Sequence, residues 1–221
     1  MSLIKDNYQR VLEKMNDAAR RSGRLAESVR LIGVTKNVEL DRIHEAIDCG
    51  LSDIGENRIQ EAELKFQTLN QLNIRCHLIG HLQSNKVKKA IGMFSCIQTI
   101  DSVALVERLD RMSEHRLTVL IQMKLGEETT KSGAPEETLS SLVDAIRQTR
   151  NLQLEGLMGI PPFSKEVEQV RRYFRQLKSK ANEYSLPEVS MGMSHDFDVA
   201  IEEGATMVRV GAALFSEFHD V

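Results

Sequence analysis

The chain has 221 residues and a formal net charge of −3 at pH 7, and 41% of its residues are hydrophobic and 28% are charged. This length and composition fit a single soluble domain with a sizeable core. Because the chain has no global positive charge and no Trp, we expect neither nucleic acid nor an anionic membrane as a partner.

The sequence shows no sign of export or of a metal framework. No stretch approaches the roughly 18 apolar residues of a membrane-spanning helix, and the first residues lack the apolar run of a secretion signal. The three cysteines, Cys49, Cys76 and Cys96, lie far apart and form no paired motif. We therefore expect a cytoplasmic protein with neither a disulfide framework nor a zinc site.

Short apolar runs alternate with amphipathic helices along the chain. Apolar residues recur at helical spacing over residues 4–21, which predicts a leading helix. After it, each apolar run ends in a polar or glycine-containing turn, and a helical stretch follows. The predicted strands are residues 29–36, 53–55, 76–81, 96–100, 117–123, 154–160, 188–193 and 207–211. The helices that follow the first seven strands are predicted to begin near residues 40, 58, 86, 103, 135, 165 and 197.

About eight strand–helix units with short connections indicate one α/β domain. Alternating strands and helices form parallel sheets, and eight units on a chain of this length close into a barrel. We therefore predict a single (β/α)8 barrel of the TIM type over residues 1–221, with an extra N-terminal helix. The alternative is an open doubly wound sheet. Its dinucleotide-binding version is disfavoured because no GxGxxG motif follows the first strand.

The C-terminal ends of the barrel strands are where such folds carry chemistry, and Lys36 ends the first strand. The strand before it is strongly apolar, so we expect its amine to be partly desolvated at the barrel mouth. Desolvation lowers a lysine pKa, and a neutral amine is the nucleophile that forms a Schiff base with an aldehyde. The alternative is a strand-end lysine that simply reaches solvent.

The loops after strands seven and eight, residues 190–194 and 211–213, are rich in serine and glycine. Hydroxyl and backbone N–H groups in these loops often bind phosphate in this fold. Ser194 or Asp196 could instead be a plain helix cap, and Gly211 a turn glycine. A lysine on one side of the mouth and an anion site on the other predict an aldehyde-phosphate ligand, of which pyridoxal 5′-phosphate (PLP) is the commonest.

The same residues carry a resemblance over nearly the whole chain. The matching segments are VTK at 34–36, GENRIQE at 55–61, HLIGHLQSNK at 77–86, KSG at 131–133, GLM at 156–158, SMGMSxD at 190–196 and VRVG at 208–211. The chain resembles the PLP homeostasis protein family, also called YggS/PROSC-like proteins, which looks like the barrel domain of alanine racemase standing alone.

The resemblance implies a role for each of a small set of residues. Lys36 would carry PLP as a Schiff base, Arg209 would face the pyridine nitrogen, and Asn57 would lie near the ring. The expected phosphate-side positions are Ser190, Ser194, Gly211 and Ala212, and Met193 is a further expected cofactor-binding residue. The tail departs from the family at Phe215-Ser216-Glu217-Phe218, where Phe-Gly-x-Arg is usual, so any contact of the tail with phosphate is open.

Arg209 sets the expected chemistry. Arginine cannot accept a proton from its surroundings, so a pyridine nitrogen facing it stays largely unprotonated and PLP becomes a weak electron sink. A racemase would also need a second base, which the resemblance assigns to a domain after the barrel, and we expect none because the chain ends at Val221. Among the remaining candidates, Tyr173 and Tyr184 should face the outer helix ring.

His81 is a rim residue that could reach the site, although we expect a hydrogen-bonded structural histidine. We expect His195 to be a solvated residue at the start of a helix. The sequence therefore predicts a monomeric, non-enzymatic PLP-binding protein that buffers PLP and passes it to apo-enzymes. Lys124 and Lys131 are candidate secondary amines for that movement, although both also fit ordinary surface lysines. The alternatives are a weak PLP-dependent amino-acid racemase, a cofactor-free Schiff-base aldolase, or an interaction protein that uses the basic run at residues 86–89.

Overall fold

The structure is a computed structural model that describes residues 2–69, 71–126 and 132–217. Within these residues, eight parallel strands close into a barrel in sequential order, with β1 hydrogen-bonded to β8. The predicted (β/α)8 barrel is therefore confirmed. The strands are β1 (Arg30–Val34), β2 (Asp53–Glu56), β3 (Arg75–Leu78), β4 (Cys96–Ile100), β5 (Leu117–Met123), β6 (Leu152–Gly159), β7 (Glu188–Met193) and β8 (Met207–Val210).

The helices alternate with the strands along the chain, and one extra helix precedes the first strand. They are α1 (Leu3–Arg21), α2 (Leu40–Asp48), α3 (Ile59–Leu69), α4 (Val87–Met93), α5 (Val103–Met112), α6 (Leu139–Arg147), α7 (Arg171–Glu183), α8 (Phe197–Glu202) and α9 (Ala212–Phe215). No helix of the described part of the chain is both long enough and apolar enough to cross a membrane.

The extra helix α1 buries one apolar stripe and joins the two ends of the chain. Ile4, Val11 and Met15 lie on this stripe and are almost completely buried. Asn7 lies on the same helix, and its side-chain amide donates to the carbonyl oxygens of Leu214 and Ser216, at 3.1 Å each. Helix α1 therefore fixes the segment that follows β8, next to the C-terminal edge of the barrel.

Strand β3 and the helix that follows β6 differ from the sequence-based prediction. Strand β3 ends at Leu78 and not at residue 81, because the chain leaves the sheet where Gly80 meets the backbone of Asn57. A Cβ on Gly80 would lie 2.0 Å from the Asn57 carbonyl oxygen, so only glycine fits there. The helix predicted to begin near residue 165 is divided into a 3-10 turn, Val167–Gln169, and helix α7.

The barrel has an outer apolar layer and a mixed interior. Most buried apolar residues form one cluster between the strands and the helices, while a small apolar cluster fills the interior: Ile32, Cys96, Leu120, Met158 and Met207. The interior also holds polar residues with almost no solvent exposure, and the ones relevant below are Asp53, His77, Gln98, Ser190 and Arg209. Buried polar groups of this kind require partners, so the interior must contain a hydrogen-bonded network.

Candidate functional site

The predicted site residues follow or end four consecutive strands, β7, β8, β1 and β2. Val210 of β8 pairs with Gly33 of β1, and Gly33 pairs on its other side with Ile54 of β2. Met193 of β7 pairs with Arg209 of β8. The parallel register therefore brings the C-terminal ends of these strands to one arc of the barrel mouth, as the sequence predicted.

Lys36 lies in a turn just after β1 and is exposed. The expected partial desolvation of its amine is therefore wrong for this structure. The reason is that the last inward residue is Thr35, which has 0% exposure and whose hydroxyl donates to Glu56 Oε1 at 2.6 Å. Lys65 donates to the same carboxylate oxygen at 2.8 Å. Thr35, the residue before Lys36, is thus held by hydrogen bonds, while Lys36 itself is accessible.

The loop after β7 reaches across to the loop after β8 through one hydroxyl. Ser194 Oγ accepts hydrogen bonds from the backbone N–H groups of Gly211 and Ala213, at 3.2 Å each. These donors lie at the start of α9, where helix N–H groups lack partners within the helix. Ser194 is therefore not a cap of its own helix, α8. Its oxygen and the two N–H groups form an anion-compatible cluster, which we call the Ser194 cradle.

A tight turn holds the Ser194 cradle in place. Asp196 Oδ1 accepts from the Met193 N–H at 2.7 Å, and the Asp196 N–H donates back to the Met193 carbonyl at 3.0 Å. Gly192 has a φ of +87°, and a Cβ there would lie 2.5 Å from the Cβ of Ala200, so this position requires glycine. Burial raises the pKa of Asp196, opposed by the Met193 N–H and by the charge of Arg209. Met193 itself is 38% exposed at the mouth.

Arg209 ends in the barrel interior, where it is 3% exposed. Its Nη1 donates to Ser190 Oγ at 2.8 Å and its Nη2 donates to the Gly159 carbonyl at 3.0 Å. Burial lowers the pKa of Arg209 to about 10, opposed by Asp196, so the side chain stays a cation near neutral pH. It can donate hydrogen bonds but accept none.

Ser190 is completely buried beneath Arg209 and does not reach the mouth. Its hydroxyl accepts from Arg209 and donates to Gln98 Oε1 at 2.7 Å. The expectation that Ser190 contacts phosphate is revised by this placement, because both roles of its hydroxyl are taken inside the barrel. Its position fits support of Arg209 instead.

Three interior residues that the sequence analysis did not single out continue the contacts below Ser190. Gln98 Nε2 lies 3.1 Å from His77 Nδ1, and His77 Nε2 lies 2.9 Å from Asp53 Oδ1. The signal available in the sequence was a polar residue inside an otherwise apolar strand, as with Gln98 in β4. Burial raises the pKa of Asp53, but hydrogen bonds from His77, Ser52 and Arg75 outweigh it and lower that pKa overall.

The remaining predicted residues lie around the rim. Asn57 follows β2 and is half-buried, Gly211 lies against Val34 of β1, and Ala212 is exposed at the start of α9. A Cβ on Gly211 would lie 3.3 Å from the Val34 Cβ, so the β8 loop lies close to the chain that leads to Lys36. Lys124 is half-buried after β5. Lys131 and Phe218 lie outside the described residues.

The two candidate histidines differ in their surroundings. His81 is exposed, with its Nδ1 3.5 Å from Asp101 Oδ2, which agrees with a structural pairing. His195 is half-buried rather than solvated as expected, and its ring lies 6.0 Å from the ring of Phe163. Both ring nitrogens of His195 are shielded from solvent and have no hydrogen-bond partner among the described residues.

Comparisons with known proteins identify chains of similar sequence. Residues 6–217 match the family model described as the alanine racemase N-terminal domain. The chain is 40% identical over 221 residues to the pyridoxal phosphate homeostasis protein of Aquifex aeolicus, covering 96% of this chain and 97% of that protein.

Solved structures show the same fold. PipY of Synechococcus elongatus with PLP bound is 36% identical, with a TM-score of 0.81, and the match covers 92% of this chain and 100% of PipY. An alanine racemase from Clostridium difficile shares the fold at 15% identity and a TM-score of 0.72, and the match covers 97% of this chain and 57% of the racemase.

Proposed function

This chain belongs to the alanine racemase N-terminal domain family and, within it, to the pyridoxal phosphate homeostasis proteins, and we propose that it binds PLP at the C-terminal mouth of its barrel. The observation that carries the proposal is the combination of an accessible lysine, an anion-compatible cradle and a buried, donor-only arginine on adjoining strands. PLP supplies an aldehyde that condenses with a primary amine, next to a phosphate dianion and a pyridine ring.

The Ser194 cradle is the part of the site that fits the phosphate. The backbone N–H groups of Gly211 and Ala213 donate to the Ser194 oxygen. When phosphate binds, they can donate to a phosphate oxygen instead, and the Ser194 hydroxyl can donate to the phosphate as well. N–H groups at a helix start have no partner within the helix and favour negative charge. The half-buried Asn57 is our candidate for contact with the ring, and Met193 for an apolar contact at the rim.

Lys36 is our candidate for the covalent link. Its turn follows Thr35, which is held by Glu56 and Lys65, so the base of the lysine side chain is well positioned while the amine remains free to move. An accessible amine suits a protein that must both capture and release an aldehyde.

Arg209 favours storage over catalysis. Its guanidinium remains protonated near neutral pH and has no lone pair to accept a proton, so it cannot keep a facing pyridine nitrogen protonated. An acidic partner at that nitrogen is what commonly sustains the electron-sink chemistry of PLP enzymes. We therefore propose a monomeric, cytoplasmic, non-enzymatic protein that buffers PLP and passes it to apo-enzymes.

The first test is the absorption spectrum of the purified protein after addition of PLP. We expect a near-visible band that shifts on borohydride reduction and that disappears in Lys36→Ala. Lys88→Ala, a change of an exposed lysine on α4, is the matched control and should keep the band. A band that persists in Lys36→Ala would remove Lys36 from the covalent role.

The second test concerns delivery. Protein loaded with PLP is mixed with an apo PLP enzyme in the presence of an excess of a scavenger that removes free PLP, and recovery of enzyme activity is followed. Direct transfer predicts recovery that resists the scavenger. Recovery that stops when the scavenger is added would limit the protein to buffering.

A weak racemase is the second candidate function, favoured by the shared barrel and by His195, whose unpaired ring nitrogens lie beside the Ser194 loop. Exchange of the α-hydrogen of alanine in deuterated water, measured with the PLP-loaded protein, tests it. Exchange that His195→Asn abolishes would establish this activity, and exchange no faster than with free PLP would exclude it.

A further inference from the structure

We propose that Gln98 is a positioning residue for the cofactor site: through a one-directional chain of hydrogen bonds across the barrel interior, it holds Arg209 in place from below. The inference rests on the proposed function, because Arg209 is the residue proposed to face the pyridine nitrogen. Gln98 lies on β4, on the far side of the barrel interior from β8, and is completely buried.

Each link of the chain donates in the same direction. Arg209 donates to Ser190, Ser190 donates to the Gln98 carbonyl oxygen at 2.7 Å, and the Gln98 amide faces His77 Nδ1 at 3.1 Å. Among the residues that the structure describes, the second amide hydrogen of Gln98 has only the Met207 sulfur within reach, at 3.6 Å, and sulfur is a weak acceptor. His77 Nε2 lies 2.9 Å from Asp53 Oδ1, and an ionised Asp53 requires it to be the donor.

The two end residues of the hydrogen-bond chain, Arg209 and Asp53, fix this direction. Arg209 carries only donors, and an ionised Asp53 carries only acceptors. Asp53 is also anchored by Arg75, whose Nε lies 3.0 Å from Oδ1 and whose Nη2 lies 3.0 Å from Oδ2, and by the hydroxyl of Ser52. Arg30 approaches Asp53 to 3.7 Å. The carboxylate is thus held ionised at the N-terminal end of the barrel.

A direction fixed at both ends determines the state of the residues between them. The Gln98 amide can face His77 only if Nδ1 is an acceptor, so His77 must be neutral with its proton on Nε2. If Gln98 were turned over, its amide would face Ser190, and the Ser190 hydroxyl, already accepting from Arg209, would lose the acceptor for its own hydrogen. A buried donor without a partner is costly, so the observed orientation is favoured because it gives the Ser190 hydroxyl an acceptor.

A substitution at Gln98 therefore interrupts the hydrogen-bond chain without changing Arg209 itself. A near-isosteric methionine replaces the strong carbonyl acceptor of Ser190 with a weak sulfur acceptor, so the Ser190 hydroxyl and the Arg209 guanidinium can reorient. Gln122, on the neighbouring strand β5, is also buried but donates outward to the Ser132 carbonyl at 2.9 Å. Gln122→Met is thus a matched control, because it removes a buried glutamine that is not part of the hydrogen-bond chain.

The first measurement is nitrogen NMR of the PLP-free protein with labelled histidine and arginine. We expect wild-type His77 to be neutral with its proton on Nε2, and we expect Gln98→Met, but not Gln122→Met, to shift the Arg209 guanidinium signals. Gln98→Glu keeps an acceptor for Ser190 but offers none of the amide hydrogens, so His77 should become protonated on both nitrogens. A wild-type His77 with its proton on Nδ1, or Arg209 signals unchanged in Gln98→Met, would overturn the chain.

The second measurement is PLP binding, followed by the near-visible band. Gln98→Met should weaken binding about tenfold and shift the position of the band, whereas Gln122→Met should do neither. Equal effects in both variants would reduce Gln98 to a general packing role. A wild type that shows no band at all would refute the proposed function, while the NMR of the PLP-free protein would still decide whether the chain positions Arg209.

Discussion

Replacing Ser194 with alanine separates the phosphate part of the proposed site from the rest. Ser194 Oγ lies 3.2 Å from two backbone N–H groups, at the junction of the β7 and β8 loops. Its loss removes one hydroxyl donor to a phosphate and leaves the backbone donors in place. A hydrogen bond to a charged group contributes about 1.5–3 kcal/mol, so the dissociation constant of PLP should rise roughly 10- to 150-fold.

The assay compares two ligands, PLP and pyridoxal, which has the aldehyde and the ring but no phosphate. Titration followed by absorbance should show Ser194→Ala weakening PLP while leaving pyridoxal unchanged. Ser102→Ala is the control, since Ser102 is exposed at the start of α5 and makes no capping hydrogen bond. The reasoning fails if PLP binds Ser194→Ala as tightly as wild type, or if pyridoxal weakens by the same factor.

Three further changes test the framework of the barrel. Gly192→Ala should destabilise the protein by about 1–3 kcal/mol because of the positive φ and the close approach to α8; an unchanged Tm would contradict this. The pKa of Asp53 is lowered by folding, so its ionised form stabilises the protein above the unfolded-state pKa, and this contribution is lost as pH falls through the lower folded-state value. Denaturant unfolding should therefore show a deficit in Asp53→Asn that is full at pH 7 and shrinks on acidification below roughly pH 4; a constant deficit would assign it to packing. Arg171 contacts Glu202 and Glu203 at 2.8 and 2.7 Å, so Arg171→Met should lower stability less in 1 M salt than in dilute buffer, and equal losses would exclude an ionic origin.

The barrel could be predicted because its strands are buried on both faces and therefore appear as continuous apolar runs. The bounds of β4, β5 and β7 agree with the prediction residue for residue. The ends of β1 and β3 were placed too far along, since Thr35 and Ile79 remain buried after the strands have ended. Burial continues past the sheet at these points, and hydrophobicity alone cannot mark where strand pairing stops.

The mouth residues could be predicted from their position after each strand, but their directions could not. Lys36 and Ser190 were both expected at the mouth, yet Lys36 is exposed after β1 and Ser190 is fully buried within β7. The difference depends on which residue last points into the barrel, and that depends on tilt and register. The contact from Gln98 to Ser190 joins residues 92 positions apart, and only the closed barrel reveals it.

The pairing of β1 with β8 has a consequence for when the site exists. Arg209 and the Ser194 cradle come late in the sequence, while Lys36 and Asn57 come early, so the proposed site spans the β1–β8 pairing that closes the barrel. During synthesis, the lysine emerges long before the strands that complete the mouth, and no PLP site is available until this pairing has formed. A ligand that binds only the closed form adds its binding free energy to the stability of the whole barrel. The concentration of PLP would then affect the stability of the β1–β8 pairing, as well as the amount of PLP that the protein binds.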